Sequence, residues 1–209
     1  MTSAPTIQSC SHVDAQDVAG VIGQPKIRKA DLLRGRTLQF RDACEDDAAF
    51  INALRTDEEK SRHLSAVSGL LDDQRAWLRQ YRQAVDQAYF VIEDLHGAAL
   101  GTVRLYDARL DCFCWGSWIL VAGAPPSAAI ESALMVYAYA LDVLGFSGAH
   151  FQVQRANERV WGFHERFGAQ RVAEVDDEYR YTISSAAIGS ARRRYQRYLP
   201  GSVTMDATQ

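Results

Sequence analysis

Two side chains that could do polar chemistry, Asn157 and His164, lie seven residues apart in a segment that ends at Gly168. In a helix, seven residues span about 700°, roughly 20° short of two full turns. Both side chains should therefore project from nearly one face. An amide donates and accepts hydrogen bonds, and an imidazole exchanges protons near neutral pH. The spacing predicts a polar helix face with His164 as a candidate acid, while Asn157 is also placed to cap the helix.

A second feature is an apolar strand, Trp118 to Val121, followed by a turn that contains Gly123 and then by a long helix. Such a strand, turn and helix point several free backbone N–H groups at one place. The positive end of the helix dipole lies there as well. This arrangement predicts an anion-binding site at the start of the helix. The signal is weak by itself, because many α/β proteins contain the same unit.

The elements that must position these groups follow the order β α α β β β α β α β β, and a basic helix closes the body. The longest helix carries one apolar face, formed by Ile130, Leu134, Tyr137, Leu141 and Leu144. We expect a mixed α/β fold with one body, residues 31–200, between a flexible extension, 1–30, and a short tail, 201–209. The predicted strands cover residues 37–41, 89–92, 100–106, 113–121, 150–153, 171–175 and 179–183.

The composition excludes several classes of protein. A net charge of −3 argues against a nucleic-acid binder, and no apolar run is long enough for a membrane span. Cys10, Cys44, Cys112 and Cys114 are too few for a disulfide scaffold, and the lone C-x-C pair lacks the further ligands of a zinc site. We expect reduced core cysteines, no metal and a cytoplasmic protein.

The segment Asn157-Glu158-Arg159-Val160-Trp161-Gly162-Phe163-His164-Glu165-Arg166-Phe167-Gly168-Ala169 resembles the N-x-x-A-x-x-[FL]-Y-x-[KR]-[LF]-G-F segment of the GCN5-related (GNAT) acyl-CoA N-acetyltransferases. The order of elements over residues 37–183 fits that family as well. The resemblance implies a mostly antiparallel central sheet flanked by helices, in which one central strand splays from its neighbour. It also implies acetyl-CoA as co-substrate.

Residue roles follow from the resemblance, position by position. The splayed strand would pair its backbone with the pantetheine arm through Ile119, Leu120 and Val121, and the N–H groups near Leu120 and Val121 would stabilise the oxyanion. Asn157 would contact the CoA arm, and His164 takes the place of the family's tyrosine, which protonates the leaving thiolate. The pyrophosphate would lie on the turn, with N–H donors from Gly123, Ala124, Ser127 and Ala128.

Two departures from the family pattern affect these roles. Pro125 and Pro126 occupy the turn and have no N–H to give a phosphate, so the cradle is expected to be smaller than usual or differently shaped. His164 replaces tyrosine, and proton transfer from an imidazolium to a thiolate is downhill by about two pKa units. An unshifted histidine is roughly one quarter protonated at pH 7, which limits its occupancy as an acid.

The acceptor site is indicated only weakly. Arg104 and Tyr106 lie on the strand beside the expected cleft, and Ser65 and Ser68 lie in the loop that often borders the acceptor in this family. Trp115 is a further substrate candidate, with packing as its alternative. Glu131 could be a helix-dipole partner or a general base, and the Arg192-Arg193-Arg194 run is expected to be a solvated helix face.

The pattern around Trp115-Gly116-Ser117-Trp118 resembles a subgroup associated with amino-sugar acetylation. We therefore expect an N-acetyltransferase that moves acetyl from acetyl-CoA to a primary amine of a small molecule such as an amino sugar or sugar nucleotide. A homodimer is also compatible with this expectation. The alternatives are a protein N-terminal acetyltransferase and a non-catalytic acyl-CoA-binding scaffold, which the two prolines would favour.

Overall fold

The computed structural model describes residues 23–57 and 67–205, which contain nine strands, five α-helices, a 3-10 turn (Glu45–Asp47) and a π-helical turn (Tyr139–Val143). The predicted order of elements is found, and two short strands, one before and one after the predicted elements, are added to it. The strands are β1 (Leu32–Arg34), β2 (Leu38–Asp42), β3 (Ala88–Asp94), β4 (Ala99–Arg109), β5 (Cys112–Leu120), β6 (Gly148–Gln154), β7 (Gln170–Val175), β8 (Glu178–Ser184) and β9 (Thr204–Met205). The helices are α1 (Ala48–Thr56), α2 (Leu71–Gln83), α3 (Ala128–Ala138), α4 (Glu158–Arg166) and α5 (Ser185–Arg194).

All the strands belong to one sheet in the order β7-β8-β6-β5-β4-β3-β2-β1-β9. Every pairing is antiparallel except the one between β5 and β6, which is parallel. A parallel pair needs a crossover connection, and α3 supplies it. The predicted fold class, a mixed α/β fold with a mostly antiparallel sheet, is confirmed.

The two faces of the sheet are covered by different helices because alternate residues of β3 point to opposite sides. Tyr89 and Val91 pack with α1 and α2 in one apolar cluster. Phe90 and Ile92 belong to the larger cluster on the other face, which includes α3. The result is a helix–sheet–helix arrangement in which β5 runs through the centre.

Helix α3 is buried on nearly all sides, which corrects the expectation of a single apolar face. Its residues from Glu131 to Ala138 are all buried. Ile130 and Leu141, two members of the predicted face, are only half-buried. The helix lies between the sheet and the turn that joins β1 to β2, so it has little contact with water.

Glu131 is neither a dipole partner at the surface nor placed as a general base. Its carboxylate is buried and accepts hydrogen bonds from the backbone N–H groups of Arg36, Thr37 and Leu38, at 2.7, 2.6 and 3.0 Å, and from the Thr37 hydroxyl. The carboxylate therefore fixes the turn between β1 and β2 against helix α3.

Both predicted flanking segments contain residues that pack on the body. Ile27 and Ala30, assigned to the extension, are buried, and the Lys29 ammonium donates to the Tyr81 carbonyl at 2.6 Å. In the predicted tail, Val203 is buried and β9 pairs with β1. The packed body thus begins at or before residue 27 and continues to residue 205, and residues 1–22 and 206–209 lie outside the described residues.

The cysteines only partly follow the expectation of reduced core residues. Cys114 is free and buried, whereas Cys44 is free and exposed. Cys112 is buried, as expected. Arg192 of α5 forms a bidentate ion pair with Asp142 at 2.8 and 2.7 Å, so the basic run is not only a solvated face. Within residues 23–57 and 67–205, no helix has the length and hydropathy needed to cross a membrane.

Candidate active site

The centre of the sheet is open where β5 and β6 separate. Their parallel pairing ends at Cys114 and His150, although β5 continues to Leu120. On its other edge, β5 stays paired with β4 as far as Leu120. The described residues thus show the splayed strand that the resemblance implied, with one backbone edge available for an extended ligand.

A bulge bends β5 within the open stretch. Thr102 faces Ile119 and Arg104 faces Gly116, so β5 contains one more residue than β4 over this stretch. The bulged residue Ser117 adopts a positive φ of 47°, and its carbonyl accepts a hydrogen bond from the Thr102 hydroxyl at 2.9 Å. Bulges increase strand twist and redirect side chains, which explains why β5 turns away from β6 here.

The backbone donors on β5 are divided between the two edges of the strand. The Val121 N–H donates to the Leu100 carbonyl at 2.8 Å, so it is not available for an oxyanion. Successive N–H groups of a strand point in opposite directions. The Leu120 N–H therefore points toward the open edge. This corrects the prediction for Val121 and leaves Leu120 as the candidate donor.

The start of helix α3 presents free N–H groups beside this open edge. Ala124 and Ala128, predicted as phosphate donors, already donate to the carbonyls of Val121 and Pro125 within the turn. Among the described residues, no acceptor is found for the four N–H groups of Gly123, Ser127, Ala129 and Ile130. Of the predicted phosphate donors, Gly123 and Ser127 therefore remain free, and Ala129 and Ile130 are added to them. The two prolines do not occupy any of these four positions.

Asn157 stands at the N-terminal cap of α4, but its side chain makes no capping hydrogen bond. Its amide has no partner among the described residues, and the residue is half-buried. The backbone carbonyl of Asn157 instead closes the first turn of the helix by accepting from Val160 and Trp161. The amide is consequently free to bind a ligand, whereas its predicted role as a side-chain cap is wrong.

His164 lies among aromatic rings at the base of the opening between β5 and β6. Its ring centroid is 4.2 Å from that of Phe151 on β6 and 5.2 Å from that of Trp115 on β5. The side chain is buried, and its Nδ1 atom has no hydrogen-bond partner. Burial lowers the pKa of His164 from 6.5 to about 3, because an imidazolium cannot be solvated there.

The expected one-quarter protonation of His164 at pH 7 is therefore wrong, since the folded protein keeps this ring neutral. A neutral imidazole can still donate one N–H bond, as the electrophilic histidines of some enzymes do. His164 can therefore act as a neutral hydrogen-bond donor, but not as an imidazolium acid.

The stability of the fold should depend on pH through this residue. The unfolded chain binds a proton to His164 near pH 6.5 and the folded chain only near pH 3, so stability is lost as the pH falls through this window. We expect His164→Phe to remove a slope of up to about 1.4 kcal/mol per pH unit. Urea unfolding at pH 7, 6, 5 and 4 measures it, and parallel curves for both proteins would contradict the lowered pKa.

A cavity of about 260 Å³ opens on the sheet face that carries α1 and α2. It brings together Arg104 and Tyr106, two of the acceptor candidates, with side chains that the sequence did not single out. Its lining is Arg55, Val67, Gln74, Trp77, Tyr89, Arg104, Tyr106 and Ser117. Because these residues come from separate helices and strands, no local pattern marks them.

Two other acceptor candidates, Trp115 and Ser68, do not line this cavity. Trp115 is buried in the core against Tyr137 and His164, which favours packing over contact with a substrate. Ser68 is exposed, and its hydroxyl accepts a hydrogen bond from the Leu70 N–H at 3.2 Å. Ser65 lies outside the described residues.

Comparison with known proteins decides the family. A model of the acetyltransferase (GNAT) domain matches residues 37–170. The solved structure of apo FdhC, a nucleotide-linked sugar GNAT, is 35% identical with a TM-score of 0.71, and the match covers 82% of this chain and 97% of that chain. The chain belongs to the GNAT acetyltransferase family. It is thus an acyl-CoA-dependent N-acyltransferase, as the resemblance implied.

Other GNAT structures share the fold at much lower identity. A GCN5-related N-acetyltransferase from Brucella melitensis is 16% identical with a TM-score of 0.70, covering 84% of this chain and 89% of that chain. Spermidine N-acetyltransferase from Vibrio cholerae, in complex with CoA and spermine, is 14% identical with a TM-score of 0.64, covering 73% and 98%. No curated protein matches the sequence.

Proposed function

We propose that this GNAT enzyme transfers acetyl from acetyl-CoA to the amino group of a nucleotide-linked amino sugar. The observation that carries the proposal is the 35% identity to a nucleotide-linked sugar GNAT over 97% of that protein's chain. The aromatic and basic cavity beside the bulge of β5 supports it, since sugars and nucleotides bind against rings and cations.

Acetyl-CoA is a co-substrate here and supplies an activated thioester. Its pantetheine arm has amide groups that can pair with the open edge of β5, in the way a peptide adds a strand to a sheet. The free amide of Asn157 would contact the same arm from α4. The four free N–H groups at the start of α3 would hold the pyrophosphate, and the helix dipole adds to that attraction.

In the transfer, a bond forms between the acceptor nitrogen and the acetyl carbon, and the carbon–sulfur bond breaks. The proton that leaves the amine ends on the CoA thiol, so no further reactant is needed. The Leu120 N–H would donate to the carbonyl oxygen as negative charge develops on it. The neutral ring of His164 would donate a hydrogen bond to the departing sulfur and stabilise it without giving up its proton.

Activity against a panel of amines tests the function directly. CoA release is measured with acetyl-CoA and amino-sugar nucleotides, free amino sugars, polyamines and peptides with free N-termini. We expect turnover of at least one amino-sugar nucleotide at a kcat/KM more than 10-fold above the other classes. Preference for the peptides would instead identify the protein N-terminal acetyltransferase.

The melting temperature with and without acetyl-CoA tests whether the protein binds this co-substrate at all. A ligand at 100 times its Kd adds about 2.7 kcal/mol to folding stability, so saturating acetyl-CoA should raise the Tm by several degrees. Adenosine alone, which lacks the pantetheine arm, is the control. A Tm shift without turnover of any amine would identify the acyl-CoA-binding scaffold, and the absence of any shift would contradict the GNAT site described above.

A further inference from the structure

Arg104 on β4 is a half-buried cation, and the part of the chain that the structure describes gives it no ionic partner. Its guanidinium lies over the rings of Trp77 and Tyr106, with its central carbon 5.2 and 4.9 Å from their centroids. Its Nε atom is buried and makes no hydrogen bond. Among the described residues, Arg104 forms no ion pair and donates no hydrogen bond. Buried charges in proteins are normally paired, so this arrangement is costly unless a ligand completes it.

A second arginine, Arg55, lines the same cavity. The Arg55 guanidinium comes from α1 and lies within 3.5 Å of the Ser117 hydroxyl on the bulge of β5. Burial lowers the pKa of Arg104, and the charge of Arg55 adds to this effect, whereas the fields of Tyr106, Tyr89 and Asp86 oppose it. The charge of Arg104, which lines the cavity, therefore favours an anion as the ligand there.

The location of the cavity indicates which anion this is. Ser117 lines the cavity and is also the bulged residue of the strand that offers its open edge to CoA. A ligand bound at Arg104 would therefore extend toward the open edge of β5, where the acetyl group of acetyl-CoA would lie. In a nucleotide-linked amino sugar, the amine and the pyrophosphate are separated by one sugar ring, which matches that requirement.

We propose that Arg104 binds the pyrophosphate of the acceptor and is the residue that selects nucleotide-linked amino sugars over free ones. This inference rests on the proposed function. A guanidinium can bind phosphate oxygens with two parallel hydrogen bonds, which a lysine cannot reproduce. Trp77 and Tyr106, which now share the guanidinium, are placed to stack on the sugar or the base.

Steady-state kinetics of Arg104→Gln test the selection. We expect the KM for an amino-sugar nucleotide to rise by about 10- to 100-fold, because a charge-assisted bidentate contact is lost, and the KM for acetyl-CoA to stay within about twofold. The KM for the corresponding free amino sugar should not change. Arg109→Gln is the matched control, since Arg109 lies on the same strand but is exposed and paired with Asp107 at 2.6 Å.

A binding measurement keeps this inference separate from the proposed function. Calorimetry measures uridine and thymidine diphosphate binding to CoA-saturated protein, so that the CoA site is blocked. We expect Arg104→Gln to weaken the binding of at least one of them about 10-fold and Arg109→Gln to leave it unchanged. If wild type turns over no amino-sugar nucleotide, the proposed function fails while this result still decides the role of Arg104. Equal binding by wild type and Arg104→Gln, or no binding by wild type, would overturn the inference.

Discussion

We expect His164→Phe to lower kcat by about 100-fold while the KM for acetyl-CoA stays nearly constant. Loss of one preorganised donor to a developing negative charge typically has this effect, because the bond strengthens only in the transition state. Phenylalanine keeps the ring contacts with Phe151 and Trp115 but has no N–H to donate. Stopped-flow or steady-state detection of the CoA thiol measures the loss.

Two further observations make this prediction specific. His164→Gln retains an N–H donor and should keep more activity than His164→Phe. The kcat of wild type should not fall as the pH rises through 6.5, because the ring is already neutral there. A kcat that declines with an apparent pKa near 6.5 would restore the imidazolium acid, and full turnover by His164→Phe would reduce this residue to core packing.

The second large effect concerns stability. We expect Glu131→Ala to lower the free energy of unfolding by about 3 kcal/mol, because four donors to a buried carboxylate lose their acceptor together. The donors in the β1–β2 turn cannot all reach water, so the turn should loosen from α3. Equilibrium unfolding in urea at pH 7 measures the change.

Glu158→Ala is the matched control for this experiment. Glu158 also lies in the first turn of a helix, α4, but it is exposed and forms no hydrogen bond among the described residues. Loss of its helix-dipole interaction should cost at most about 1 kcal/mol. Similar losses for both variants would show that Glu131 acts as a dipole partner only, contrary to the role that its hydrogen bonds indicate.

Local patterns were sufficient for most of the elements. The alternation at residues 37–41 and the glycine after Phe167 marked ends of a strand and a helix that the structure shows within about two residues. Strands β1 and β9 were missed because they contain three and two residues, too few for a period to be detected. They form because β1 pairs with β2 and with β9, and the pairing of β1 with β9 joins residues about 170 positions apart in sequence.

Patterns were less reliable wherever burial decides the outcome. The apolar period of α3 suggested one buried face, but the β1–β2 turn covers the opposite side through Glu131. Likewise, the sequence predicted that the N–H groups of Ala124 and Ala128 are free to bind phosphate. In the structure, both donate hydrogen bonds to carbonyl groups within the turn. These contacts join residues that are far apart in sequence or depend on the conformation of the turn. The spacing of apolar residues along the sequence therefore cannot predict them.

The amino-acid sequence was enough to predict the order of the elements and the family, and to single out residues 118–164 as the candidate site, because each of these depends on local spacing and residue type. The protonation and solvation of the candidate groups became apparent only from the folded structure. The rings of Phe151 and Trp115 exclude water from His164 and keep it neutral, and the sheet places the half-buried Arg104 near the charge of Arg55, which lowers the pKa of Arg104 together with burial. Desolvation and like-charge proximity both depend on which distant residues fold together, and the sequence order of these residues gives no measure of either.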